Sequence, residues 1–130
     1  VLSAMENAEF PMLLQGIDAA ARRARVRELF ERTGMSGLED RRPGKLSGGQ
    51  QQRVAVVRAV ASRPALVLAD EPTANLDSAS SEALLEMMAE LNRELGVTFV
   101  FATHDEHVME RSKRLVRMVD GRIDSDELRT

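Results

Sequence analysis

Two short apolar runs, residues 65–69 (ALVLA) and 97–102 (VTFVFA), constrain this chain more than any other feature. Neither contains a charged residue, the pattern of strands buried on both faces. Between them Leu84, Leu85, Met88, Leu91 and Leu95 recur at helical spacing over residues 78–95, and Gly96 stops that helix. A further helix over about 106–112 leads to a third strand, 114–119. Asp120-Gly121 is a hairpin signal into Arg122-Ile123. Strand, helix, strand, helix, strand predicts an α/β fold with a parallel sheet and right-handed crossovers.

The preceding residues are different in kind. Residues 1–45 read as helical and polar. A first segment, 3–15, is interrupted by Pro11. A second, 18–33, places Ala21, Ala24, Val26, Leu29 and Phe30 on one face, with Asp18 as N-cap and Gly34 as stop. A solvated connection with Arg41, Arg42, Pro43 and Gly44 follows. Ser47 and Gln50 then stand in capping-box spacing and open a helix to about Ala61, with Val54, Val57, Val60 and Ala61 on its apolar stripe.

Composition limits what such a chain can do. With 130 residues, 43% hydrophobic and a net charge of −3, it has the balance of one globular domain. Its four aromatics are all Phe, so Leu, Val, Ala and Met must build the core. The absence of cysteine excludes disulfides, thiol catalysis and Cys-ligated zinc, and is in keeping with a reducing compartment. A mildly acidic chain gains no general attraction to nucleic acid or anionic lipid. No apolar run approaches the ~18 residues that span a bilayer, and no signal peptide opens the sequence.

Three places carry candidate chemistry. Leu46-Ser47-Gly48-Gly49-Gln50 puts two glycines at a helix N-terminus, where free N–H groups and the dipole attract anions. It reads either as a phosphate grip or as a flexible loop before an ordinary capped helix. Asp70-Glu71-Pro72-Thr73 ends an apolar strand at the sheet edge where α/β folds bind ligands. One carboxylate can hold Mg²⁺, directly or through water, and the other can orient or deprotonate a water. The alternative is a pair of exposed acids in a turn. Thr103-His104-Asp105 closes the next strand, which puts His104 on the same rim. His107 receives no role.

Together these residues resemble the ATP-binding domain of ABC transporters. Leu46 to Gln50 match the family's signature motif, and Gln51-Gln52-Arg53-Val54-Ala55 its usual sequel. Residues 65–71 look like the Walker B strand with its glutamate, Asn75-Leu76-Asp77 like the D-loop, and His104 like the switch histidine. The wording around them, including Arg42-Pro43-Gly44, Asp120-Gly121-Arg122-Ile123 and the stretch from Val1 to Asn7, is most similar to the branch of lipoprotein-releasing and macrolide-exporter ATPases. Ala74 departs from that branch, which commonly has glycine there. The phosphate loop G-x-x-x-x-G-K-S/T is absent: Gly44-Lys45 is followed by Leu46 and lacks the first glycine. Gln15 and Gln50 to Gln52 are not in the Q-loop position, and the adenine-stacking aromatic is missing. With Val1 rather than Met at its start, the chain looks like the C-terminal portion of such a domain, beginning shortly after the Q-loop.

The resemblance implies a P-loop NTPase-like parallel sheet core that lacks its phosphate-loop strand, preceded by an α-helical signature subdomain. Residues 1–63 would be that subdomain and 64–130 the α/β portion. It implies an ATPase of a membrane transporter, inactive as these 130 residues alone, with ATP and Mg²⁺ as ligands. Ser47 (through hydroxyl and amide), Gly48 and Gly49 would cover the γ-phosphate held by a second ATP-binding domain, with Gln50 supporting the helix start. Asp70 would hold Mg²⁺ through water, Glu71 would be the general base, Asp77 would couple the two sites, and His104 would contact the γ-phosphate. The implied partners are that second domain and a transmembrane permease subunit, without nucleic acid, at the inner face of the cell membrane. Two alternatives are an ABC ATPase of repair or translation and a truncated interaction module.

Overall fold

The computed structural model describes residues 1–129. Three helices come first: α1 (Ala4–Leu14), α2 (Ala19–Arg32) and, after a 3-10 turn at Pro43–Lys45, α3 (Gly48–Ala61). Then follow β1 (Leu66–Asp70), α4 (Ser78–Leu95), β2 (Thr98–Ala102), α5 (Glu106–Arg111), β3 (Arg114–Val119) and β4 (Arg122–Leu128). The helix starts are set by side-chain caps. Ser3 with Glu6, and Ser47 with Gln50, form complete capping boxes, while Asp18, Asp77 and Asp105 each accept a first-turn N–H. Gly96 ends α4 in the left-handed conformation, φ 69°.

One apolar cluster runs from Ala4 to Val97 and draws on α1, α2, α3, α4 and β1. Leu29, Phe30, Met35 and Val57 are fully buried in it. Each such side chain contributes roughly 1.5–3 kcal/mol by leaving water. The stripe expected for α4 is buried at Leu84, Leu85, Met88 and Leu91, with Leu95 packed against its edge. Two expectations for the helices are corrected. Pro11 does not interrupt α1, which continues to Leu14. Lying near the helix end, Pro11 removes one N–H while Ala8 and Met12 around it stay packed in the core. In α2, Ala21 and Ala24 are exposed. The buried face is Arg25, Val26, Leu29 and Phe30, because Arg25 folds inward and donates from Nε to the Ala61 carbonyl at 3.3 Å.

β1 and β2 pair in parallel through the α4 crossover, in register Val67↔Phe99 and Asp70↔Ala102. The third strand does not extend this sheet. β3 pairs antiparallel with β4 in a separate two-stranded sheet. The turn between them puts Asp120 and Gly121 both at positive φ, which brings β4 straight back along β3. Arg114 and Asp126, cross-strand, form a bidentate ion pair at 2.6 and 2.8 Å. The parallel strands are not buried on both faces either. Val67, Ala69, Phe99 and Phe101 meet the core. Leu66, Leu68 and Val100, on the other face, are 51%, 75% and 48% exposed.

Candidate functional site

The parallel register sets Asp70 beside Ala102, so the segments after β1 and β2 leave the sheet from one rim. Glu71 extends the pairing by one residue, its N–H donating to the Ala102 carbonyl at 2.8 Å. There its backbone turns left-handed, φ 47°. That conformation costs a side-chain-bearing residue roughly 1–2 kcal/mol and aims the chain at the residues after β2.

Glu71 is met by three donors. His104 places Nδ1 2.6 Å from Glu71 Oε1, and its backbone N–H donates to the same oxygen at 3.1 Å. Thr103 Oγ1 donates to Oε2 at 3.1 Å. Partial desolvation pushes the carboxyl up, but the hydrogen bonds from the His104 ring, Thr103 and the His104 N–H outweigh it and hold Glu71 below its usual value. A carboxylate only accepts, so the close contact puts the imidazole proton on Nδ1 and leaves Nε2 of this 91% exposed side chain open. Thr103→Val should therefore raise the pH at which Glu71 titrates, because one bond to the charged form is lost. The Glu71 carboxyl ¹³C shift followed over pH measures this, and an unmoved or lowered midpoint would contradict it.

Asp70, adjacent and exposed, has no side-chain hydrogen bond among the described residues. Those residues include no cluster of three or more acidic, His or Cys side chains able to cage a metal. A single free carboxylate suits Mg²⁺, which keeps most of its waters and takes one or two carboxylates plus substrate phosphates.

At the start of α3, Ser47 Oγ accepts from the Gln50 N–H at 3.1 Å, and the Ser47 N–H donates to Gln50 Oε1 at 2.9 Å. The amide expected to face a phosphate is thus taken by the cap. What remains for an anion is the Ser47 hydroxyl proton and the N–H groups of Gly48 and Gly49, which the helix ladder leaves free. Gly49 also answers a packing need: a Cβ there would lie 3.3 Å from Ser80 Cβ in the first turn of α4, whereas one on Gly48 would make an ordinary 3.6 Å contact with Leu76. Asp77 caps α4, accepting from the Ser80 N–H at 2.7 Å, and that bond holds its carboxyl low.

The structure thus brings Glu71 and His104 together, with Asp70 beside them. It makes no direct hydrogen bond from Ser47, Gly48 or Gly49 to that group. Four further side chains join the rim that sequence reasoning passed over. Thr103 bonds Glu71, Thr73 Oγ1 donates to Asp105 Oδ2 at 2.8 Å, and Gln52 Nε2 donates to the Pro72 carbonyl at 2.8 Å. No spacing rule announces contacts between residues 20 to 32 positions apart. His107 contributes only its N–H, to Asp105.

Comparison with known proteins identifies the family of the chain. The profile of the family described as ABC transporter matches residues 2–74. The chain is 49% identical over 122 residues to the lipoprotein-releasing system ATP-binding protein LolD 1 of Rhodopseudomonas palustris, covering 93% of this chain and 54% of that one. It is 47% identical over 125 residues to the macrolide export ATP-binding/permease protein MacB 1/2 of Paracoccus denitrificans, covering 96% of this chain and 19% of that one. Among solved structures, an ATP-binding cassette seen as a dimer in a post-hydrolysis state with ADP and Pi superposes with a TM-score of 0.81 at 36% identity, covering 98% of this chain and 57% of that chain. The chain spans about half the length of most curated relatives it matches. With the signature pentapeptide, the acidic strand end and the rim histidine in one parallel α/β frame, the chain belongs to the ABC transporter ATP-binding family.

Proposed function

We propose that this chain is the signature-to-switch portion of an ATPase subunit that powers a membrane transporter, with residues 1–63 as its helical subdomain and 64–130 as its α/β portion. The observation that carries this reading is Glu71 held by His104 and Thr103 at the rim. A carboxylate held at both oxygens is kept ionised and in one orientation, so it can position an attacking water and accept its proton, while the same donors lower its proton affinity. His104, docked through Nδ1, donates from Nε2 to a γ-phosphate oxygen when the ring carries a proton on each nitrogen, since a neutral ring with its proton on Nδ1 leaves Nε2 an acceptor. Asp70 would hold Mg²⁺, and the ion would supply positive charge to the phosphates of bound ATP. Ser47, Gly48 and Gly49 donate in trans to the nucleotide of a second ATP-binding domain, Gln50 keeps that helix start in place, and Asp77 holds the D-loop between the two sites.

The partners are that second domain and a permease subunit, at the inner face of the cell membrane. The naming of relatives for lipoprotein release and macrolide export makes an export-type cargo the reading for this chain. No helix among the described residues is long and apolar enough to cross a membrane.

The phosphate loop is the discriminating part. Its backbone N–H groups and lysine cradle the β- and γ-phosphates, and this sequence has none. Purified 1–130 should release no phosphate above its Glu71→Gln control, while the complete subunit with a phosphate loop turns over. Steady release by 1–130 would contradict the assignment of roles.

A further inference from the structure

Three consecutive glutamines open α3, and each has a different partner. Gln50 completes the cap on Ser47. Gln51 Nε2 reaches back to the carbonyls of Pro43 and Leu46, at 2.9 and 3.3 Å. Gln52 Nε2 reaches forward, 2.8 Å to the carbonyl of Pro72. Pro72 follows Glu71 directly and is buried. A proline brings no N–H to its own peptide, so the stretch is held through its carbonyl and its neighbours.

Glu71 needs such holding. A left-handed backbone at a residue with a side chain persists only where the surroundings over-determine it. The Glu71 N–H is tied to Ala102 and the Thr73 hydroxyl to Asp105, both on the β2 side. Among the described residues, the Gln52 bond alone comes from α3. We propose that Gln52 is a positioning residue for Glu71: through the Pro72 carbonyl it latches the signature helix to the glutamate's backbone. A shift at the start of α3 then moves the carboxylate. This inference rests on the proposed roles of Ser47 and Glu71, and it adds a route within one subunit from the phosphate-facing helix to the base.

The test uses the complete subunit and two variants. Gln52→Met keeps the length and loses the donor, whereas Gln52→Lys keeps a donor. Gln52→Met should lower kcat roughly tenfold, the equivalent of one net hydrogen bond. KM for ATP should stay within about twofold, because nucleotide binding is not what the bond serves. The thermal midpoint should stay near that of the parent, and Gln52→Lys should recover most of kcat. Full kcat in Gln52→Met, a rise in KM with kcat intact, or failure of Gln52→Lys to recover would overturn the latch. Glu71→Gln is run in parallel. If it kills turnover while Gln52→Met does not, the latch alone falls. If Glu71→Gln turns over normally, the underlying assignment falls and the latch with it.

Discussion

Glu71→Gln in the complete subunit is expected to abolish steady ATP turnover and leave ATP affinity near the parent value. Removal of a general base slows a proton-transfer step by roughly 10²–10⁴-fold. Glutamine keeps the size of glutamate but cannot take the proton of an attacking water. It also disturbs the local pattern. Glu71 accepts at both oxygens, from His104 at Oε1 and from Thr103 at Oε2. An amide can accept at only one of these positions and turns a donor toward the other. Binding is spared because the nucleotide's grip lies on the phosphate loop, away from this carboxyl. The variant should accumulate as an ATP-bound dimer. Phosphate release measured beside an ATP titration separates the two effects, and normal release would remove Glu71 from the role of base.

The meeting of Glu71 with His104 was legible because it depends on few things. Two apolar runs with a helix between them pair in parallel, and residues at their C-terminal ends then share an edge. Ser47 and Gln50 were legible as a capping box because that signal is local. The long helix 78–95 was legible because its stripe, its Asp77 cap and its Gly96 stop all agree. What failed was non-local. An apolar strand is recognised by composition, but nothing inside residues 65–69 says which layers cover it, and Leu68 stands exposed. The Asp120-Gly121 hairpin is legible because its signal is local, and β3 does pair with β4 across it. Alternation of elements does not reveal that this pair stands in a sheet separate from β1 and β2. Ala21 and Ala24 lost the buried face of α2 to Arg25, whose stem packs inward while its head finds the Ala61 carbonyl. Thr103 and Gln52 left no trace because a single hydrogen bond across 20 or more residues has no period.

Ser47→Arg tests the composite site. The Ser47 N–H is engaged within its own cap, so the hydroxyl and the two glycine N–H groups form the outward-facing set. The N-cap itself is worth roughly 1 kcal/mol against alanine, the stability loss expected where the capping oxygen is removed. Arginine adds a bulky side chain where the second domain's nucleotide must approach. The monomer's own phosphate grip lies elsewhere, so binding to a single subunit should be nearly unchanged while ATP-dependent dimerisation is blocked. Ser47→Ala removes the cap and the outward hydroxyl together without adding bulk, so its difference from Ser47→Arg isolates the effect of the bulk.

The decisive measurement is made on one preparation of the complete subunit carrying Ser47→Arg, with hydrolysis stopped by Glu71→Gln. Nucleotide affinity is read by titration and dimer fraction by sedimentation with ATP and Mg²⁺. A signature that acts in trans predicts parent-like ATP affinity with the dimer lost. Equal losses in affinity and dimer fraction would place Ser47 on its own subunit's nucleotide and contradict the composite site.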